Sequence, residues 1–421
     1  MNDRSVDGVE HFEERPYGWV IVAIATMCLA FAFGTNVTVP VLVKPFEQDF
    51  GWNRAAIAMA YTALTIGAAA GGLFWGSLSD KIGAKRIIFF GVVMMSGALI
   101  FVGHQDRLWM IYLLYFVIGG FGFACIFTPL LALVGLWFNR RKGLAIGIVT
   151  AGGAIGQGIA PIVFQAMISA YNWRDAIAYL GIGYLAIILP LLLLLRPPPV
   201  LVTSAAKVSR SDTNLWGLSH RITIPWLGLA GIFCCICMVA PIIHLVPLGI
   251  GLSLSPETAV SLLTTLWISA FFGRLFFGAL ADRVGALYTY FAASFVQTAM
   301  VFWFTQTQSL FVLYVLSAVF GFGFAGVMTS LLICAREAAP LRITGFATSV
   351  VVTTGWIGMG IGSYQGGYFF DLTGDYAWSY GIAAFSGIIN LAIVLCLIWY
   401  RYSRTGGFNS VRLLPGEALK L

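Results

Sequence analysis

Acidic side chains are missing from the interior of the long apolar runs of this chain. The nearest Asp and Glu sit at run ends or in the intervals between them, and charged residues make up only 10% of the 421. A soluble domain carries roughly a quarter, so water is not the main solvent. The apolar stretches are long and unbroken, whereas a transmembrane barrel shows alternation in segments of about 10 residues. Met1 to Arg15 lacks the basic start and short apolar core of a signal peptide, so no cleavage is expected. All seven cysteines fall within apolar runs, where they act as small apolar side chains, and no disulfide framework is implied. Cys234, Cys235 and Cys237 diverge around a helix axis with no second cluster nearby, so no metal and no other cofactor is expected. No nucleophile with a base and no phosphate loop occurs in a consistent place, which argues against an enzyme.

Hydrophobic residues account for 59% of the chain. Runs of about 20 of them, enough to cross roughly 30 Å of hydrocarbon, recur to Trp399. The expectation is an all-α integral membrane protein with about 12 transmembrane helices. They are placed at 17–43, 55–78, 87–104, 109–135, 143–169, 176–195, 223–250, 257–280, 286–305, 309–334, 343–370 and 377–400. Nineteen of the 24 Lys and Arg then fall on one side, among them Lys81, Arg86, Arg140 and Arg283. Only Lys44, Arg54, Arg107 and Arg174 fall on the other, which leaves Arg274 inside a helix. The positive-inside rule puts the basic side and both termini in the cytoplasm of a cell (inner or plasma) membrane. The +7 net charge is therefore a topology signal, and the bilayer rather than a nucleic acid is the expected partner.

The longest polar interval runs from Arg196 to Arg221 and separates six helices from six. This divides the chain into a tail (1–16), a first half (17–195), a linker (196–222), a second half (223–400) and a second tail (401–421). The halves match each other. Gly120-Phe121-Gly122-Phe123-Ala124 recurs 201 positions on as Gly321-Phe322-Gly323-Phe324-Ala325, and Gly76, Asp80 and Gly83 recur 202 positions on as Gly278, Asp282 and Gly285. Trp19 and Pro40 find counterparts in Trp226 and Pro247, and Tyr171 and Trp173 in Tyr376 and Trp378. Co-linear matches at nearly constant offset argue duplication. Two parallel six-helix repeats suit alternating access by rocking one half on the other.

Gly76-Ser77-Leu78-Ser79-Asp80-Lys81-Ile82-Gly83-Ala84-Lys85-Arg86, with its counterpart ending Asp282-Arg283-Val284-Gly285, resembles the signature loop of the major facilitator superfamily. The resemblance implies a cytoplasmic latch of Gly76, Asp80, Arg86 and the Arg140-Arg141 loop, with Asp282 and Arg283 in the repeat. A solvated loop obeying the charge rule is the alternative. The fifth predicted helix carries Gly147, Gly152, Gly153, Gly156 and Gly158, which suits either a sliding seam between halves or static close packing.

Arg274 lies among Phe271, Phe272, Phe276 and Phe277 in the eighth predicted helix. A cation there costs about 2.5–3.5 kcal/mol on insertion scales, and the chain offers no carboxylate within the spans to offset it. An anionic ligand or water in a cavity is the natural partner, the alternative being a side chain that snorkels to the interface. His244 sits in a Pro-interrupted helix end, Pro241 to Pro247, where freed backbone groups often border a site, and imidazole titrates near neutral pH. It is the candidate proton-coupling group, or else a structural His bonded to a helix carbonyl. Thr35, Asn36, Tyr115 and Tyr364 are further candidates for substrate contact, and each could equally be an interhelical bonding partner.

Tyr17-Gly18-Trp19, Phe33 to Pro40, Trp137-Phe138 ahead of Arg140-Arg141-Lys142-Gly143, and Arg274 together look like the monocarboxylate transporter family and its oxalate/formate relatives. That resemblance implies that Arg274 binds a substrate carboxylate. The chain departs from animal members, which place a lysine in the first helix, where Thr35 or Asn36 stands here, and an aspartate at the position of Ala270. It also lacks the lysine that oxalate exchangers carry within 343–370. One fixed cation suits a monoanion such as lactate or pyruvate. The expectation is thus a secondary transporter moving a small carboxylate anion with a proton and working as a monomer. A carboxylate antiporter and a non-transporting sensor are the alternatives.

Overall fold

A computed structural model describes residues 16–138, 141–196, 216–340 and 343–405, and among these no strand occurs. Hydrocarbon offers backbone N–H and C=O groups no partner, so a chain this apolar closes its hydrogen bonds within helices. The first half comprises α1 (Tyr17–Asn36), α2 (Thr38–Phe50), α3 (Arg54–Ile82), α4 (Ala84–Val102), α5 (Leu108–Val117), α6 (Ala124–Trp137), α7 (Lys142–Ala170) and α8 (Trp173–Leu193). The second comprises α9 (His220–Gly251), α10 (Pro256–Val284), α11 (Ala286–Val301), α12 (Leu310–Glu337), α13 (Thr344–Thr373) and α14 (Ala377–Thr405). Eleven passages are long and apolar enough to cross a membrane, counting α1 with α2 and α5 with α6 as one each. α11 has 16 residues and continues as a 3-10 turn to Thr305, which completes the twelfth.

Two of the expected helices are interrupted. The first breaks at Val37, whose N–H turns back to the Gly34 carbonyl. Pro40 has no N–H to offer the Asn36 carbonyl one turn back, so regular pairing fails there. The fourth widens into a π-helical stretch at Ile118–Phe123. Its glycines admit the backbone of α3, because a Cβ on Gly119 would overlap the Leu64 carbonyl. Several helices also begin earlier than the apolar runs, since polar residues cap them: the side chains of Asn53, Asn172 and Ser255 accept from the N–H groups of Ala56, Asp175 and Thr258. Of the expected linker, 197–215 lie outside the described residues. Trp216 at its end is buried in the second half and donates to Glu337 at 2.9 Å. The expected second tail begins inside α14, and 406–421 lie outside the described residues.

The duplication is visible in the packing. A Cβ on Gly122 would sit 2.7 Å from Met95 Cβ, and one on Gly323 2.8 Å from a Val296 methyl. Both members of the second pair lie 201 positions after the first. Gly83 and Gly285, the glycines of the repeated loop, both end their helices at φ 92°, a region that disfavours any side chain. The halves meet where α7 packs on α10 and α3 on α13.

The glycines of α7 divide between the two expected roles. Gly152, Gly153 and Gly156 face α1 within their own half, against Thr26, Phe33 and Ala30, while Gly158 faces Trp267 of α10 across the seam. Gly147 meets nothing within 4 Å. Gly156→Ala, whose added methyl overlaps the Ala30 carbonyl, is therefore expected to lower the melting temperature of the purified protein. Gly147→Ala is expected to leave it unchanged or raise it slightly, as a glycine replaced in an unstrained helix gains about 0.4–1 kcal/mol. Thermal unfolding in detergent measures both.

Candidate functional site

Arg274 lies ten residues before the end of α10, on the face turned toward α7, and its Nη1 donates to the Thr150 carbonyl at 3.1 Å. The bond joins the two halves. No carboxylate lies within ion-pairing distance of this guanidinium among the described residues, and the side chain is only partly buried. A guanidinium has five N–H donors, and one carbonyl supplies neither the remaining acceptors nor a countercharge. Along the same stripe of α10 stand Phe271, Trp267 and Thr264, facing Ala154 and Gly158 of α7 around a cavity of about 430 Å³. Trp267 Nε1 and Thr264 Oγ1, both buried there, have no hydrogen-bond partner. The rim of this cavity is exposed isoleucine and phenylalanine, Ile155, Ile159, Ile268 and Phe272, so it opens sideways toward lipid.

One turn beyond Thr150, Gly153 lies against the ring of Phe33. Phe33 packs on Phe123 and Phe127 with centroids 4.8 and 5.7 Å away, and Phe123 reaches Trp356 of α13 at 5.7 Å. An aromatic cluster thus bridges the halves close to the Arg274 seam. It went unread in the sequence because Phe33 and Phe123 stood in two separate motifs, and nothing in either brought their rings together.

The other expected site residues lie apart from Arg274. Thr35 is fully buried, bonded to the Phe31 carbonyl at 3.1 Å and facing the Met95 sulfur of α4. Tyr115, also buried, shares a 3.0 Å hydrogen bond with Thr38. Both sit within the first half. Asn36 stands at the break between α1 and α2 with its Oδ1 buried and unpartnered. Tyr364 is 41% exposed, in a groove with Tyr112 and Tyr368 between α3, α5 and α13.

His244 is buried in α9. Its Nε2 is 3.0 Å from the Ser363 carbonyl of α13, its Nδ1 has no partner, and its ring lies 5.3 Å from that of Tyr376. A carbonyl only accepts, so Nε2 carries the proton and Nδ1 holds the free lone pair. Of the expected latch, Gly76 falls within α3, while the side chain of Asp80 and all of Arg140 lie outside the described residues. Arg86 is exposed in the first turn of α4, and Asp282 and Arg283 are exposed in the last turn of α10.

A second polar cluster lies at the end of the bundle away from the basic loops. Asp371 of α13 accepts from the backbone N–H groups of Arg54 and Ala55 at 2.9 and 2.7 Å. Nearby, Thr62 donates to the Gly360 carbonyl at 2.8 Å and Ser363 to the Ala58 carbonyl at 3.2 Å. On the other face of the molecule, Ser169 donates to Glu257 at 3.1 Å. The halves are thus bonded together at this end.

Two six-helix halves of like plan, meeting along a seam that holds an uncompensated cation midway through the bundle, define a membrane transporter of the duplicated helical class. The chain belongs to the Major Facilitator Superfamily, whose family model matches residues 22–363 and, in a second alignment, 238–420. It is 26% identical over 311 residues to "MFS-type transporter 1" of an Ophiocordyceps species, covering 72% of this chain and 68% of that protein. It is 28% identical to human "Monocarboxylate transporter 11", over 63% of this chain and 57% of that one, and 25% identical to "Monocarboxylate transporter 12-B" of Danio rerio, over 63% and 62%. The chain thus spans about 60% of the length of these two named relatives. Among solved structures, a D-xylose-proton symporter superposes with a TM-score of 0.73 at 15% identity, over 90% of this chain and 97% of that one. A bacterial homologue of the lysosomal transporter Spinster, in its inward-facing unoccupied conformation, superposes with 0.72 at 14%, over 93% and 97%.

Arg274 bonds the main chain of Thr150, while the Thr150 hydroxyl bonds the Ile146 and Gly147 carbonyls of its own helix. Thr150→Val is therefore expected to leave melting temperature and transport rate within about twofold of wild type. A larger loss would place the hydroxyl itself in the site.

Proposed function

We propose that this protein is a secondary active transporter of a small organic monocarboxylate of the lactate or pyruvate kind, coupled to a proton and working by alternating access. The observation that carries the reading is Arg274, a cation at the seam between the halves with a single main-chain acceptor and no countercharge among the described residues. A planar guanidinium offers a carboxylate two parallel hydrogen bonds. One fixed charge matches one carboxylate. The names of the monocarboxylate transporter relatives agree with this substrate class. The excess of Lys and Arg at one end favours an orientation with that end and both termini in the cytoplasm of a cell membrane. The bonded end then faces outward, and Asp80 with Arg86 and Arg140 would latch the inner end when it closes.

A carboxylic acid with a pKa of about 4 is ionised at neutral pH, and carrying a proton alongside makes the cycle electroneutral. His244 is the side chain best placed to hold that proton, because its Nδ1 lone pair is free while its Nε2 is bonded to α13, its neighbour in the same half and one of the helices that line the contact with α3. Counter-substrate dependence distinguishes the antiport alternative: exchange needs an internal carboxylate, whereas symport responds to a pH gradient across proteoliposomes. Measurable binding without flux would instead indicate a sensor.

Arg274→Lys keeps the charge and loses the fork. It is expected to weaken carboxylate uptake about 10- to 100-fold, the worth of a charged hydrogen bond, in protein that still inserts and purifies normally. Uptake at wild-type rate and affinity would remove Arg274 from the site.

His244→Gln keeps a donor for the Ser363 carbonyl and removes the titrating ring. It is expected to retain binding while flattening the pH dependence of uptake that the wild-type protein shows. A wild-type pH profile would return His244 to a structural role and send the proton with the substrate or through water.

A further inference from the structure

The first turn of α3 has its donors divided between the two halves. Asn53 takes its own share, its side chain accepting from Ala56 N–H at 2.9 Å and its carbonyl from Ile57 N–H at 3.1 Å. The two N–H groups ahead of these, on Arg54 and Ala55, go to the carboxylate of Asp371, more than 300 positions further along the chain. A carboxylate at a helix N-terminus gains from the aligned peptide dipoles as well as from its hydrogen bonds. Helix caps are ordinarily local. This one is supplied by the opposite half.

The Arg54 side chain reinforces the contact. It is 7% exposed, its Nε is paired with Glu47 of α2, and its guanidinium carbon lies 3.6 Å from the centroid of the Phe370 ring and 5.2 Å from that of Tyr376. Its Nη1 is buried with no partner. Glu47 and Arg54 belong to the first half, whereas Phe370, Asp371 and Tyr376 belong to the second. Gly367 completes the fit, because a Cβ there would come within 2.6 Å of the Arg54 carbonyl.

We propose that Asp371 and Arg54 form the outer lock of the transport cycle: the Asp371 carboxylate caps α3 across the halves and the Arg54 guanidinium clamps on Phe370, holding the outer end shut. The plane of separation runs between them. On opening, the Glu47–Arg54 pair moves with the first half, while Asp371 exchanges two backbone donors for water. The lock needs alternating access but no particular substrate, so it is testable apart from the carboxylate assignment.

The experiment uses full-length protein in lipid nanodiscs without substrate. Nitroxide labels are placed at the exposed Gln48 and Gln308, at the outer ends of the two halves, with the exposed Cys396 replaced by Ser. Pulsed dipolar spectroscopy of wild type is expected to give mainly the short, closed distance. Asp371→Asn accepts where a carboxylate accepted but without the charge, and is expected to shift the closed-to-open ratio about tenfold toward long distances, the scale of a lost charged hydrogen bond. Asp371→Glu is expected to restore most of the closed population, an effect that mere loss of packing would not produce. Arg54→Gln is expected to shift the distances in the same direction, so the proposal is decided even where one variant does not purify. Distance distributions of Asp371→Asn or Arg54→Gln that superimpose on wild type would overturn it.

Discussion

Hydrocarbon cannot solvate a charge or a peptide dipole, and the placement of every polar group in this protein answers to that constraint. Most of the backbone satisfies itself inside helices, so a group left for another partner stands out. Among the described residues such places include the break at Val37, where Pro40 withholds a donor, the π-helical stretch at Ile118–Phe123, and the first turn of α3, whose leading donors are taken by Asp371. The side chains obey the same rule. Nearly all cations lie at the ends of the bundle, and the one placed midway, Arg274, lies at the contact between the halves.

The two seams have different chemistry. Along the middle of α7 and α10 the contact is small, aliphatic and aromatic side chains with Arg274 bonded across it, and the Ser169–Glu257 hydrogen bond lies at the outer end of the same pair of helices. Apolar contacts of this kind are non-directional, which suits the proposed sliding of the halves and the proposed ligand role of the charge. Where α3 meets α13 near the outer end, side-chain hydroxyls bond to main-chain carbonyls and a carboxylate caps a helix. In the proposed cycle that surface holds one arrangement and is broken to reach the other. A carrier needs both, a site that either side can reach and contacts that decide which side is open.

Fold and duplication were legible in the sequence because both are written in residue type. Twenty-residue apolar runs count the helices, and glycines recurring at offset 201 place the repeats. Gly83 and Gly285 then prove to share one backbone conformation that only glycine favours. The lone cation of the apolar spans was equally plain, since Arg274 violates a rule that the rest of the chain keeps. The facing of each helix could not be read. A helix bathed in hydrocarbon is apolar all round, so nothing marked Tyr364 as belonging to a peripheral groove or Thr35 and Tyr115 as internal to the first half. Arg54 read as an ordinary loop cation at the outer face. Phe370 and Tyr376, whose rings its guanidinium meets, lie more than 300 positions further along the chain, so nothing local to Arg54 marked it as buried.

The central claim is that the cation at the seam binds a single carboxylate. Its most direct test is the thermal stability of the unmodified protein in the presence of matched pairs of small acids and their amides, lactate with lactamide and pyruvate with pyruvamide. A ligand at 100 times its dissociation constant stabilises by about 2.7 kcal/mol, enough to raise the melting temperature measurably. The acids are expected to raise it, and the amides, alike in shape but uncharged, are expected not to. Equal shifts by acid and amide, or a response to neither beside a clear response to an uncharged solute, would contradict the claim.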